Sequence, residues 1–122
     1  MEKRREKRFQ EENDVFIKSA TNGNESGHSI GVNAMTTDIS LAGARITSSE
    51  YFEIGTIIRL EISLKRTGQS VTVDGEVKWC QEKDDEDAYE FGVEFLHSIS
   101  HTLLSLIRHL YTEREAIPTA VA

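Results

Sequence analysis

The chain is poor in the residues that build covalent or metal-centred chemistry. It holds 122 residues but a single cysteine, Cys80, and a single proline, Pro118. One thiol excludes an internal disulfide, and no ligand cluster surrounds it at metal-binding spacing. A reducing cytoplasm is the expected setting. Cys80 also lacks a paired base, so it reads as a strand residue rather than a nucleophile. His97, His101 and His109 fall on or beside one helical stretch without a carboxylate or cysteine partner at ligand spacing. They read as surface or helix-end histidines. The acidic "DDED" (residues 84–87) lacks the glycine and spaced ligands of a calcium loop and reads as a solvated turn. No apolar run is long enough to span a bilayer, and no signal-peptide core follows the basic start. No membrane insertion, metal or cofactor is expected.

Charge is present but unevenly spread. The formal net charge is −7, yet Lys3, Arg4, Arg5, Lys7 and Arg8 crowd the first eight residues against only Glu2 and Glu6. The rest of the chain is therefore more acidic than the total implies. Salt screens exposed charges over roughly 8–10 Å, so what counts at a site is the charge nearby. An acidic body disfavours long polyanions such as nucleic acid, while a compact basic arm can still hold a small anion.

The body reads mainly as strands. "DVFIKS" (14–19) is a short β-type run, followed by the loop signal "ATNGNESG". "HSIGVNAMTTDIS" is extended, ending near Ser40, and "GARITS" resumes after a turn at "SLAG". Ile58, Leu60, Ile62 and Leu64 alternate with polar residues, the period of a half-buried strand. A hairpin connection at "KRTGQ" leads into "SVTVDGEVKWCQE", where alternation puts Val71, Val73, Gly75, Val77 and Trp79 on one face and Lys78 and Cys80 on the other. Gly75 is the expected place for a bulge or bend. Tyr89, Phe91, Val93 and Phe95 alternate in a last strand of what reads as a curled antiparallel sheet. From Ile99 the period changes to three and four, predicting an amphipathic helix over 98–114, capped by Ser98 or Ser100 and laid across one open end of a small barrel.

Two stretches could carry recognition. In "RREKR", Arg4 and Arg8 are four apart with Arg5 between them. A guanidinium offers a planar fork that matches two phosphate oxygens and can stack on a purine. The same spacing also arises by chance in a solvated terminus. In "DISLAG", both oxygens of Asp38 can accept from the N–H donors of a guanine edge. Ser40 offers a hydroxyl to a phosphate or to the backbone, and Gly43 can take a positive φ and admit close approach. An Asx-type turn at a strand junction accounts for the same residues.

Taken together, Arg4-Arg5-Glu6-Lys7-Arg8 and Asp38-Ile39-Ser40-Leu41-Ala42-Gly43 resemble the paired signature of the PilZ domain family, R-x-x-x-R followed by D/N-x-S-x-x-G. "GEVKW" (75–79) is similar to the family's G-x-V-x-W strand, and "YEFGVEF" to its late strand. The resemblance implies a six-stranded antiparallel β-barrel with a C-terminal helix, acting as a receptor for cyclic di-GMP in bacterial signalling. It implies ligand contacts from Arg4, Arg5, Arg8, Asp38, Ser40 and Gly43. Lys3, just before the first motif arginine, points to a stacked pair of dinucleotides over one. Trp79 reads as a barrel residue, with a place beside the ligand as the alternative.

The expected organisation is a flexible basic arm over 1–12, a barrel with its helix over 13–114, and a frayed tail over 115–122. No appended catalytic or membrane domain is expected. The expected role is non-enzymatic: nucleotide binding changes the surface and signals to a protein partner in motility, pili, adhesion or exopolysaccharide production. A PilZ-like adaptor that ignores the nucleotide is the other reading. A phosphodiester-cleaving enzyme would need a metal cluster or positioned base that the sequence does not offer.

Overall fold

The computed structural model describes residues 8–21, 28–83, 87–96 and 100–111. Among them the chain forms strands β1 (Phe9–Gln10), β2 (Asp14–Thr21), β3 (His28–Ile39), β4 (Gly43–Ser48), β5 (Ile57–Leu64), β6 (Gln69–Glu82) and β7 (Tyr89–Leu96), then helix α1 (Ser100–Tyr111). Every pairing is antiparallel. The order β3-β2-β5-β6-β7-β4 closes on itself because β4 also pairs with β3, and β1 adds to β3 as a seventh strand. This is the predicted six-stranded barrel, and closure leaves the ring itself without a free edge.

The alternating residues do what their period demands. Ile58, Leu60, Ile62 and Leu64 of β5 face the core with Phe91, Val93 and Phe95 of β7. Burying each such side chain contributes about 1.5–3 kcal/mol. The β5–β6 connection turns at Gly68, whose φ of +77° favours glycine and whose N–H donates to the Leu64 carbonyl at 2.8 Å. Leu106 and Leu110 of α1 are fully buried, and the helix closes the barrel end from which that turn emerges. The predicted cap Ser98, His97 and most of the acidic "DDED" lie outside the described residues.

Three irregularities interrupt the alternation, and two of them shape the outer surface. Register shifts fall between Ile17 and Ser19, between Thr36 and Asp38, and between Val77 and Trp79. Each inserts one extra residue relative to a neighbouring strand, Lys18 against β5, Thr37 against β4 and Lys78 against β7, and so swaps the faces beyond it. Past Lys78, Cys80 turns inward against the core while Trp79 turns outward. The predicted shared face for Val77 and Trp79 is thus corrected, since unbroken alternation cannot hold across a bulge. Gly75 is not the bulge. It keeps the core register, and its missing side chain leaves room for Val93 and Leu60, which a Cβ there would meet at 3.2 and 3.5 Å.

Two further expectations change. His109 is not a surface histidine: it is 0% exposed and bonded on both ring nitrogens, because its position three residues after Leu106 puts it on the buried side of α1. The stretch expected as a free arm up to residue 12 joins the sheet from Phe9 onward, with Phe9 opposite Ile39 and Gln10 opposite Asp38. Among the described residues no helix is long and apolar enough to cross a membrane.

Candidate functional site

The Thr37 bulge is what brings Asp38 to the outer face. Thr36 points into the barrel; one extra residue later, Asp38 stands opposite Arg45 of β4 rather than beneath it. Arg45 in turn stands opposite Gly92 of β7, and Gly92 opposite Trp79 of β6. Gln10, Asp38, Arg45, Gly92 and Trp79 therefore form one row across five strands.

Contacts along the row are polar and then aromatic. The Arg8 guanidinium donates to Asp38 Oδ1, and Arg45 Nε lies 3.4 Å from Asp38 Oδ2. Covered by these two, Asp38 is only 9% exposed. A second guanidinium nitrogen of Arg45 lies 3.9 Å from Glu90. Its central carbon sits 6.0 Å from the centre of the Trp79 ring, a cation–π approach worth about 0.5–1 kcal/mol at an exposed site. Gly92 is where it is because of Trp79: a Cβ there would overlap the indole Nε1 and Cε2. The indole thus lies across β7 toward Arg45, with 37% of its surface open. Arg8, Ala44, Arg45, Lys78, Trp79, Gly92 and Val93 line a shallow cleft of about 160 Å³.

Ser40 takes the backbone role that the sequence left open beside a ligand contact, and Gly43 departs from the expected positive φ. The Ser40 hydroxyl accepts from the backbone N–H groups of Ala42 and Gly43 at 3.1 and 3.2 Å, and the Ser40 N–H donates to the Gly43 carbonyl at 2.8 Å. The side chain is spent closing the β3–β4 hairpin, a serine-turn arrangement. Gly43 does not take a positive φ; Gly31, Gly55 and Gly68 do. Its place is dictated by close approach of β7, because a Cβ would overlap the Val93 carbonyl oxygen. Of the predicted ligand residues, Arg8 and Asp38 are brought into contact, with Ser40 and Gly43 forming the buried turn just beyond Asp38. Arg4, Arg5 and Lys3 lie outside the described residues.

Sequence reasoning passed over Arg45. Its signal was present, since it is the outward polar position in "GARITS", but only the pairing register puts it beside Asp38. A larger hollow of about 610 Å³ opens at the opposite mouth of the barrel, lined by Ile30, Val32, Tyr51 and Phe52 with Glu50 and Glu53. Among the described residues no cation lines it.

The family model described as PilZ domain matches residues 2–113. The chain belongs to the PilZ family. Solved PilZ relatives share its fold. Escherichia coli YcgR in complex with c-di-GMP superposes with a TM-score of 0.69 at 19% identity, over 96% of this chain and 49% of YcgR. The PilZ domain of YcgR with c-di-GMP gives 0.67 at 17% identity and 98% of both chains. The Bacillus subtilis inhibitor of motility MotI (DgrA) gives 0.63 at 17% identity, over 93% of this chain and 54% of MotI. The PilZ chain thus spans about half the length of YcgR and of MotI. No curated protein sequence is matched. The paired PilZ motifs meet where Arg8, the last residue of R-x-x-x-R, donates to Asp38, the first of D-x-S-x-x-G.

Proposed function

We propose that this chain is a receptor for cyclic di-GMP, bound over the Asp38–Arg45–Trp79 row. The observation that carries the reading is the juxtaposition, on one face, of two guanidiniums, one carboxylate and an open indole. Each meets a different part of the dinucleotide. Arg8 and Arg45 suit the phosphodiester oxygens, as charge-assisted forks. Asp38 suits the N–H edge of guanine. Trp79 offers a flat surface for a base, an interaction worth about 1–3 kcal/mol by alanine substitution.

Arg8, Asp38 and Arg45, with Glu90 on the far side of Arg45, are ion-paired to one another without ligand, so binding is an exchange. The guanidiniums turn from the carboxylate to the phosphates, and the carboxylate turns to the base. Glu90 beside Arg45 balances the set at two cations to two anions, so a diester is drawn by the exchange of partners and by the basic residues that precede Arg8. Arg4 and Arg5, close in sequence to Arg8, add further forks, and Lys3 favours a stacked pair of dinucleotides. Ser40 and Gly43 support the site by holding the hairpin that ends at Asp38.

The role is binding without turnover, in a cytoplasmic setting, and the output is a changed surface read by a protein partner. MotI is described as an inhibitor of motility, which makes the motility apparatus one class of partner to examine. Isothermal titration with cyclic di-GMP tests the reading: micromolar or tighter binding, with far weaker binding of the adenine analogue, is expected. A flat titration at high concentration would instead leave a PilZ adaptor that does not use the nucleotide.

A further inference from the structure

The segment that follows Arg8 is pinned far more heavily than a two-residue edge strand needs. Phe9 packs edge-on against Tyr111 of α1, with ring centres 5.6 Å apart. The Glu11 carbonyl accepts from the Thr36 hydroxyl at 2.6 Å. Its carboxylate accepts from His109 Nε2 at 2.8 Å, from Asn13 Nδ2 at 3.1 Å and from Arg66 Nε at 3.2 Å. The other nitrogen of His109 meets the Thr67 hydroxyl at 2.5 Å, and Arg66 also donates to the His109 carbonyl. Asn13 completes the knot, accepting from the Lys65 N–H at 3.0 Å.

Burial would raise the Glu11 carboxyl, but hydrogen bonds from His109 and Asn13, the His109 charge and Arg66 outweigh it and hold the group below its ordinary value. Facing a carboxylate, Nε2 must carry a proton, so this histidine donates to Glu11 in either charge state. Glu11 stands three positions after Arg8, about 10 Å of extended chain. The last turn of the helix and the arginine beside Asp38 are therefore ends of one short, fixed strap.

We infer that Glu11 and His109 are positioning residues for Arg8, so that docking of α1 preorganises the nucleotide site. The inference rests on the proposed cyclic di-GMP reading and adds a linkage to it. If a seated helix improves nucleotide binding, bound nucleotide must tighten the helix by the same factor. The alternative role for the knot is stability alone, with no effect passing through Arg8.

A double-mutant cycle separates the two. Glu11→Gln and His109→Leu are each expected to weaken cyclic di-GMP five- to tenfold in titration. His109→Gln, whose amide can still donate to Glu11, should retain more affinity than His109→Leu. In an Arg8→Ala background the Glu11→Gln loss should shrink to less than twofold; an undiminished loss there overturns the inference. Should His109→Leu fail to fold, Glu11→Gln and His109→Gln carry the cycle. A nucleotide-free measurement stands beside it: amide exchange at Phe9 and Gln10 should quicken at least tenfold in Glu11→Gln. Unchanged exchange overturns the inference by itself. If the parent chain does not bind the nucleotide, the functional reading falls while the exchange result still judges the strap.

Discussion

Replacing the two site glycines by alanine should produce opposite failures, because their missing side chains make room for different things. At Gly43 a Cβ would overlap the Val93 carbonyl oxygen and stand 3.2 Å from its carbon, and both atoms belong to the backbone of β7. No rotamer relieves that, so β4 and β7 must part where they pair at Gly43 and Glu94. Overpacking of this kind costs about 1–3 kcal/mol, occasionally more. For a chain of this length 1 kcal/mol moves the melting midpoint by roughly 3–6 °C, so Gly43→Ala should melt about 3–18 °C lower. At Gly92 the obstacle is the Trp79 side chain, which can swing away. Gly92 is buried beneath that ring, so Gly92→Ala displaces a half-exposed side chain rather than a strand and should lower the midpoint less than Gly43→Ala does. It should nevertheless lose cyclic di-GMP affinity as the indole leaves its seat. Thermal denaturation followed by circular dichroism, paired with titration, measures both. A Gly43→Ala protein as stable as its parent would refute the argument that β7 dictates this position.

Other substitutions probe the row directly. Trp79→Leu should weaken binding by about 1–3 kcal/mol, six- to 150-fold, while leaving the melting midpoint nearly unchanged; equal affinity in titration would remove the indole from the site. Arg45→Ala and Arg8→Ala should each lower affinity at least tenfold, as loss of a charged hydrogen bond worth about 1.5–3 kcal/mol requires. Asp38→Ala should harm the guanine dinucleotide more than the adenine analogue, and an equal loss would deny it the base edge. Acid should act through Glu11. Its folded pKa lies below the ordinary 4.5, so its contribution is present above that pH and fades as pH falls through the folded value. Glu11→Gln should flatten that part of the acid-unfolding curve, and a curve unchanged in shape would dissociate Glu11 from it.

What could be read from the sequence was whatever depends on neighbours along the chain. Ile58 to Leu64 announced a strand by period alone, and "GARITS" matched β4 residue for residue. The motif residues were legible too, but their jobs were not. Ser40 was expected at a ligand or at the backbone and is found on its own backbone, because the hairpin's geometry is a property of the folded turn. Trp79 and Cys80 were assigned to exchanged faces because a bulge is created by pairing between strands and leaves no mark in the alternation. Arg45 escaped notice for the same reason, being 7 residues from Asp38 in sequence and opposite it in register. His109 lies at the helix end as one expectation had it, but its spacing from Leu106 and Leu110 puts it on the buried stripe and not on the surface.

The outward turn of Trp79 has a practical side. It is the chain's sole indole, so the protein's long-wavelength emission comes from one ring at one place. Had Lys78 not been inserted, that ring would be sunk in the barrel and deaf to solution. As folded, it lies where the dinucleotide is proposed to rest, and occupancy would be written into intrinsic fluorescence without any attached dye.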